Sequence, residues 1–481
     1  MEKIAIIGMG ISGMAVASAY AKEVDPGNIE IHCYDSEESF GRGFPFREDS
    51  DQILINLNKE KISYDYENLK DFKDWLDKKG YSYGRYVPRH IFGLYTRDRL
   101  KGTMKKIDAK KITSIVKRLE WNKYKNKWEL ETDSGYIEYF DRVHLCCGEL
   151  PQMDPFNLAS YDKYIDPIYP SNQMLKSINH EDRVAIIGTS LAAVDITRYL
   201  LIEKDVKRIY MFSRSNIIPT LRLKPKDLDL NIITYETCLD IIESGNGIIS
   251  FEKFDELFNK ELGFHGLIFN KLMEKYAPGV KSLKKSIKEE EDLAKIQGIF
   301  SQLTLILNLV WSAFSLTDRE KFNDKYEDFI QAFGNPLPIP TGKILLDAID
   351  SNRLIVLDKV SDIIYRDEEE AFHLQEYSED STSIIAKVDF VCNATGLDLS
   401  LKTLSKEDTL IGKMIDHRYL QVDNSGGITV IPENIRVMSP KLGEFKTLHA
   451  HGVLIAGVQL RNNSTSVIQR TAHELIKEIY K

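Results

Sequence analysis

Two short glycine-bearing loops carry the residues with the clearest chemical use in this chain. The first is Gly8-Met9-Gly10-Ile11-Ser12-Gly13. It follows a continuous apolar run, Ile4 to Ile7, which predicts a central parallel strand buried on both faces. The Ala-rich stretch Met14 to Lys22 predicts a helix after the loop, and Ile29 to Tyr34 predicts a second strand that ends in Asp35. Each position has a task in holding a dinucleotide. Gly8 permits the tight turn off the strand, Gly10 lets the backbone approach a pyrophosphate, and Gly13 allows close helix–strand packing. The helix N-terminus supplies amides and partial positive charge, and Asp35 stands where an acid accepts hydrogen bonds from a ribose.

The pattern returns further along. Arg183 to Ile187 reads as a strand, Gly188-Thr189-Ser190-Leu191-Ala192-Ala193 opens a helix, and Arg208 to Phe212 is a further strand. Ser190 and Ala193 replace the second and third glycines, and both are small enough for close approach. Arg214 follows this strand, at the place where NAD-specific folds put an acid. An arginine there pairs with a 2′-phosphate and favours NADPH over NADH. The other reading is a solvated strand-end arginine. Two more strands, Val143 to Gly148 and Val388 to Gly396, finish in short residues and glycine. Such endings let a chain cross beneath a cofactor. The later crossing implies that the first domain is discontinuous.

The elements between these motifs are mainly helical. From Phe251 to Ala332, the residues Ile296, Phe300, Leu303, Leu307, Val310 and Phe314 fall at steps of four and three, one apolar face of a long helix. Asn335 to Pro340 reads as a stiff connector. A length of 481 residues implies two or three domains. The net charge of −9 argues against a broad nucleic-acid surface, which needs clustered Lys and Arg. The most apolar run, Leu303 to Phe314, is shorter than the roughly 20 residues of a membrane span. The N-terminus lacks the charged and apolar regions of a signal peptide. The expectation is therefore a soluble cytoplasmic protein with no membrane partner.

Cys33, Cys146, Cys147, Cys238 and Cys392 form no CxxC pair and no zinc spacing, so core thiols are expected, and neither a redox pair nor a metal site. His449 and His451, in TLHAHG, have two readings: a proton donor near a cofactor, or polar loop residues. Ser190 lacks the G-x-S-x-G surroundings of a hydrolase nucleophile. Catalytic residues are left unassigned.

Seven stretches carry a wider likeness: GMGISG (8–13), GRGFPF (41–46), ILIN (53–56), YVPRHIFGLYTRDRL (86–100), VAIIGTSLAAVD (184–195), FSRS (212–215) and VCNATG (391–396). With them the sequence resembles the FAD/NAD(P)-binding protein family. These are two-dinucleotide-binding-domain flavoproteins related to a flavin-dependent L-aspartate N-monooxygenase of nitrosuccinate biosynthesis and to bacterial FAD/NAD(P)-binding oxidoreductases. The resemblance implies that Gly8, Gly10, Ser12 and Gly13 hold the FAD pyrophosphate and Asp35 the FAD ribose. It puts Arg42, Gly43 and Asn56 near the phosphates or flavin, and Gly188, Thr189, Ser190 and Arg214 at the nicotinamide dinucleotide. Ile455-Ala456-Gly457 looks like the family's last strand, and the helix beginning near Ser464 would aim its N-terminus at the flavin pyrimidine. Residues 155–187 lack the Fx(G)xxxHxxxW pattern of Baeyer–Villiger monooxygenases, which disfavours that reaction.

The expected fold is α/β, with two Rossmann-like dinucleotide-binding domains and a helical insertion. An FAD domain is expected from 1–160 and 385–481, a NAD(P) domain from 161–250 and 345–384, and the insertion from 251–344. The leading functional expectation is a single-component FAD- and NADPH-dependent monooxygenase that uses O2 to hydroxylate a small molecule, an amine nitrogen being one target. Two alternatives stay open: a flavin reductase or dehydrogenase without oxygen insertion, and a non-catalytic cofactor-binding partner protein. Substrate identity and oligomeric state are not legible.

Overall fold

The structure is a computed structural model, and it describes residues 1–481 apart from 278, 289, 379–380, 405–407 and 461–463. The chain divides into two compact units. The first comprises Met1–Glu48, Leu57–Pro151 and Leu397–Lys481, and the second Asp49–Asn56 and Gln152–Gly396.

The first unit is built on a six-stranded sheet in the order Arg436–Ser439, Gly443–Ala450, Arg142–Leu145, Glu2–Ile7, Ile29–Tyr34, Lys110–Ile112. All neighbours run parallel except the edge pair Arg436–Ser439 and Gly443–Ala450. Ile4, Ala5 and Ile6 are fully buried, as the unbroken apolar run requires of a central strand. The opening helix Ile11–Glu23 packs against the C-terminal helix Thr465–Ile479. The strands Val116–Asn122, Lys127–Thr132 and Ile137–Phe140 add a separate antiparallel sheet, and along Lys127–Thr132 every second residue is buried.

The second unit has a five-stranded, all-parallel sheet in the order Leu354–Val356, Arg208–Phe212, Arg183–Ile187, Phe390–Asn393, Tyr164–Ile165. The helix Leu191–Ile202 lies on it through Val194, Ile196 and Leu200, in one apolar cluster with Ile186, Ile209 and Cys392. A small antiparallel sheet, Asp362–Arg366, Ala371–Tyr377 and Thr382–Val388, completes the β content. Among the described residues, the elements between Phe251 and Asp350 are all helices, and Glu291–Ala313 is the longest of them. Ile296, Phe300, Leu303, Leu307 and Val310 are buried on that helix, the face expected from their spacing, and Phe314 beyond its end is buried too. By length and mean hydropathy (1.4) this helix meets the requirements of a membrane span. The burial of this face inside the second unit fits a core helix equally well.

The expected boundaries at 160 and 385 shift to 151 and 397. Phe390–Asn393 pairs with Arg183–Ile187, so the late crossing strand belongs to the second sheet. The helix Ile339–Asp350 runs across the expected border at 344.

Candidate cofactor-binding sites

The two glycine loops are built alike. Gly8 N–H donates to Tyr34 O at 2.8 Å and Gly188 N–H to Phe212 O at 2.7 Å, so each loop is tied to the end of its second strand. Cys146 N–H donates to Ile7 O at 2.8 Å, and Ala394 N–H to Ile187 O at 2.9 Å. The chain leaving the third strand thus crosses in front of each first glycine. A Cβ on Gly8 would lie 2.6 Å from Cys146 O, and one on Gly188 would lie 2.5 Å from Ala394 O. Both glycines also have positive φ (+93° and +123°), which other residues rarely adopt. The likeness extends to the far end of the strands. Lys3 N–H donates to Asp141 Oδ2 at 2.9 Å, and Arg183 N–H to Asp389 Oδ2 at 2.8 Å.

In the first loop, a Cβ on Gly13 would stand 2.0 Å from Gly8 O, so the helix packs on the strand at backbone distance. A Cβ on Gly10 would stand 3.2 Å from the Cα of Gly43, which brings the loop against GRGFPF. Gly10 is the N-cap of Ile11–Glu23 and offers no side chain to its amides. Asp35 accepts from Met9 N–H at 2.6 Å through Oδ2 and from Ser36 N–H at 2.7 Å through Oδ1. Burial raises its carboxyl above the usual range, and those two N–H bonds oppose the rise. The acid therefore braces the glycine loop and keeps lone pairs for a further donor. Arg42 spends Nε on Glu38 O, at 2.7 Å. Its pKa is lowered, first by burial and then by the nearby Arg97.

The YVPRHIFGLYTRDRL stretch holds that second loop from below. Arg89 begins the helix Arg89–Lys106. Gly93 on it approaches so closely that a Cβ would meet Phe46 O at 2.1 Å. Thr96 Oγ1 donates to Gly41 O at 2.8 Å, and Arg97 donates to Phe40 O at 2.7 Å and to Glu37 O at 2.6 Å. These supporting residues were not singled out from the sequence. Their bonds join segments some 55 positions apart, and only the pattern GRG…RHIFG hinted at them.

Gly452 completes the first site from the C-terminal segment, where a Cβ would stand 2.3 Å from Ser12 Oγ. The expected last strand at Ile455–Gly457 is not formed. Gly452–Ile455 is a 3-10 turn, and the last strand ends earlier, at Ala450. Gly457 packs on the segment Asp423–Gly426, with a Cβ position 2.1 Å from Gly426 O. Ser464 is the N-cap of Thr465–Ile479, and its hydroxyl lies 3.0 Å from Ser466 Oγ, with no cap bond to the helix. Asn56 falls in Asp49–Asn56, which clusters with the second unit and not with the loop residues 8–43.

His449 and His451 are buried, and His449 is a strand residue, which corrects their reading as polar loop residues. The parallel register sets His449 opposite His144, with the rings stacked at 5.1 Å. Tyr20 Oη lies 2.9 Å from His144 Nε2, and His144 Nδ1 lies 3.0 Å from His451 Nε2. Burial holds all three imidazoles below their ordinary pKa, His451 at about 3. Neither ring nitrogen of His449 has a partner among the described residues. Neutral imidazoles there do not fit a cationic proton donor at neutral pH.

In the second loop, Thr189 Oγ1 donates to Ile217 O at 2.7 Å and so accepts from Ser213 Oγ at 2.8 Å. Ser190 is the N-cap of Leu191–Ile202 and makes no side-chain cap bond. Ala193, in place of the third glycine, is fully buried. Arg214 is exposed on the turn after Arg208–Phe212. Burial pushes the Cys147 thiol up to about 12 and holds the Cys146 thiol well above its ordinary value, and neither is in a disulfide. Among the described residues no group of three or more His, Cys, Asp or Glu is arranged to hold a metal.

Residues 5–150, which span the whole of the first loop, its acid and its crossing strand, match a family model described as FAD-NAD(P)-binding. This stretch is similar to FAD-NAD(P)-binding domains. The chain is also similar to the 4-hydroxybenzoate brominase (decarboxylating) of Pseudoalteromonas luteoviolacea, at 27% identity over 201 residues, 41% of this chain and 36% of that protein. It is similar to the trimethylamine monooxygenase of Roseovarius nubinhibens at 24% identity, over 40% of this chain and 47% of that one. The matches thus span less than half the length of either relative. Over its whole length the chain shares its fold with L-lysine 6-monooxygenase from Pseudomonas syringae (TM-score 0.60, 12% identity, 100% of this chain and 99% of that one). The fold class of the chain is therefore α/β, with two Rossmann-like parallel sheets.

Proposed function

We propose that this protein is an FAD-dependent NADPH oxidoreductase, acting as a single-component flavin monooxygenase that hydroxylates a small molecule at an amine nitrogen. The observation that carries the reading is the repeated loop. Two Rossmann units in one chain, each with a glycine pressed against a crossing strand (2.6 and 2.5 Å), provide a seat for the flavin and another for its reductant. The amine target is supported by the trimethylamine monooxygenase relative and the lysine 6-monooxygenase fold.

The first seat fits FAD. Gly10 and Gly43 meet with no side chain between them, so two backbones line one phosphate-sized cradle, and the helix amides at Gly10 are uncapped by any side chain. Gly8, Gly10, Ser12 and Gly13 hold the pyrophosphate, Asp35 the ribose, and Arg42 and Gly43 the phosphates or flavin. Gly457 and Ser464 line the flavin side, where the dipole of Thr465–Ile479 favours negative charge on the ring. Gly188, Thr189 and Ser190 hold the NADPH pyrophosphate, and Arg214 pairs with its 2′-phosphate. When bound, FAD supplies the two-electron chemistry that couples NADPH oxidation to O2.

The test is turnover of purified, yellow protein with NADPH and a panel of small amines, following O2 uptake and hydroxylated product together. Product in proportion to NADPH supports the reading. NADPH oxidation that runs faster on an artificial acceptor without oxygen, and yields no hydroxylated amine, replaces it with a reductase.

A further inference from the structure

The turn that presents Arg214 is tied down on both sides of that residue. Ser213 Oγ is engaged by Thr189 and accepts from Asn216 N–H at 3.0 Å. Asn216 Nδ2 donates to Asp358 Oδ1 at 2.6 Å. The last tie comes from outside both Rossmann motifs. Gln331, on the helix Leu316–Phe333, spends one amide on three bonds. Its Nε2 donates to Ile217 O at 3.1 Å and to Ser190 Oγ at 3.3 Å, and its Oε1 accepts from Ser215 Oγ at 3.3 Å. One side chain from the helical segment therefore links the helix cap Ser190 to the two residues, Ser215 and Ile217, that follow Arg214. The Phe329 and Phe333 rings on the same helix are buried, which fixes where Gln331 begins.

We propose that Gln331 is a positioning residue for recognition of a 2′-phosphorylated adenine nucleotide: it holds the Ser213–Ile217 turn so that the Arg214 guanidinium meets the 2′-phosphate. The proposal rests on the NADPH reading of Arg214. A charge-assisted bond to phosphate depends on the orientation of the planar guanidinium. Without Gln331 the turn loses the bonds at Ser215 and Ile217 that link it to Ser190, and Arg214 binds from a wider set of geometries. The affinity gained from the 2′-phosphate should therefore fall about tenfold.

The experiment is calorimetric titration of the purified protein with 2′,5′-ADP and with 5′-AMP, which differ only in the 2′-phosphate. Wild type should bind 2′,5′-ADP the more tightly. Gln331→Ala should lower the ratio of the two affinities about tenfold, with flavin content unchanged. Gln331→Glu keeps the size and the acceptor but loses the donors and adds a negative charge, so it should lower the ratio further. A purely structural helix residue would weaken both ligands alike. If both variants keep the wild-type ratio, the proposal for Gln331 is overturned while the NADPH reading stands. If wild type does not distinguish the two ligands, the NADPH reading falls and this proposal falls with it.

Discussion

At the scale of single residues, the loop glycines separate into two kinds. A Cβ on Gly13 would lie 2.0 Å from a backbone oxygen, so Gly13→Ala must push the helix off its strand, costing about 1–3 kcal/mol or more. Gly10 faces only the Cα of Gly43 at 3.2 Å, so a larger side chain there fills the cradle and spares the fold. Gly10→Val should give folded, colourless protein, and Gly13→Ala a protein with a lower Tm. Far-ultraviolet circular dichroism and the visible spectrum separate the two outcomes, and a yellow Gly10→Val protein would contradict the cradle. Arg214→Ala should weaken NADPH about tenfold or more and leave NADH nearly unchanged, as expected for loss of a charge-assisted phosphate bond. Equal losses, measured as KM for the two nucleotides, would refute the 2′-phosphate pairing.

The elements were the most legible part of the sequence. Arg183–Ile187 and Arg208–Phe212 have the expected bounds because each is a short apolar run closed by a glycine or serine turn. The crossing strands were also readable from their small, glycine-ended tails. The last strand was misplaced by several residues, because Gly452, with φ +63° against Ser12, turns the chain before Ile455 can extend it. That contact lies 440 positions away along the chain, and no local pattern records it. The histidine stack was hidden for the same reason, since it exists only in the register of Gly443–Ala450 with Arg142–Leu145.

The stack predicts an acid-sensitive first unit. Its imidazoles titrate below their ordinary value when folded, and near about 6.5 when unfolded. The unfolded chain therefore binds more protons below that pH, and stability falls as pH drops from about 6.5 toward the folded value near 3. Above pH 7 these groups contribute no slope. Tm measured from pH 8 to 5 should be level and then decline. Because His449 has two buried nitrogens without described partners, His449→Leu should keep or raise Tm at pH 7 and flatten the acid decline. A markedly lower Tm at pH 7 would mean that the ring nitrogens hold a necessary bond.

On the scale of the whole molecule, a single local design appears twice. The aspartate that ties the third strand to the first (Asp141, Asp389), the crossing carbonyl (Cys146, Ala394) and the positive-φ glycine (Gly8, Gly188) recur at matching places. The first copy keeps three loop glycines and an acid, and the second has Ser190, Ala193 and an exposed arginine. Under the proposed function, that difference suits one unit to a tightly held flavin and the other to a phosphorylated nicotinamide nucleotide that comes and goes. The proposed division of labour is drawn from the loops, and the identity of the substrate was not legible in the sequence. A small amine can be held by any of several polar groups, and no spacing rule marks them.

The most direct test of this account is anaerobic addition of NADPH to the purified protein while the visible spectrum is followed, with O2 and a small amine then admitted. The account predicts flavin bands that bleach with NADPH and return only when O2 is admitted, with hydroxylated amine formed as they return. Protein without flavin bands, or bands that NADPH leaves unbleached, would contradict it.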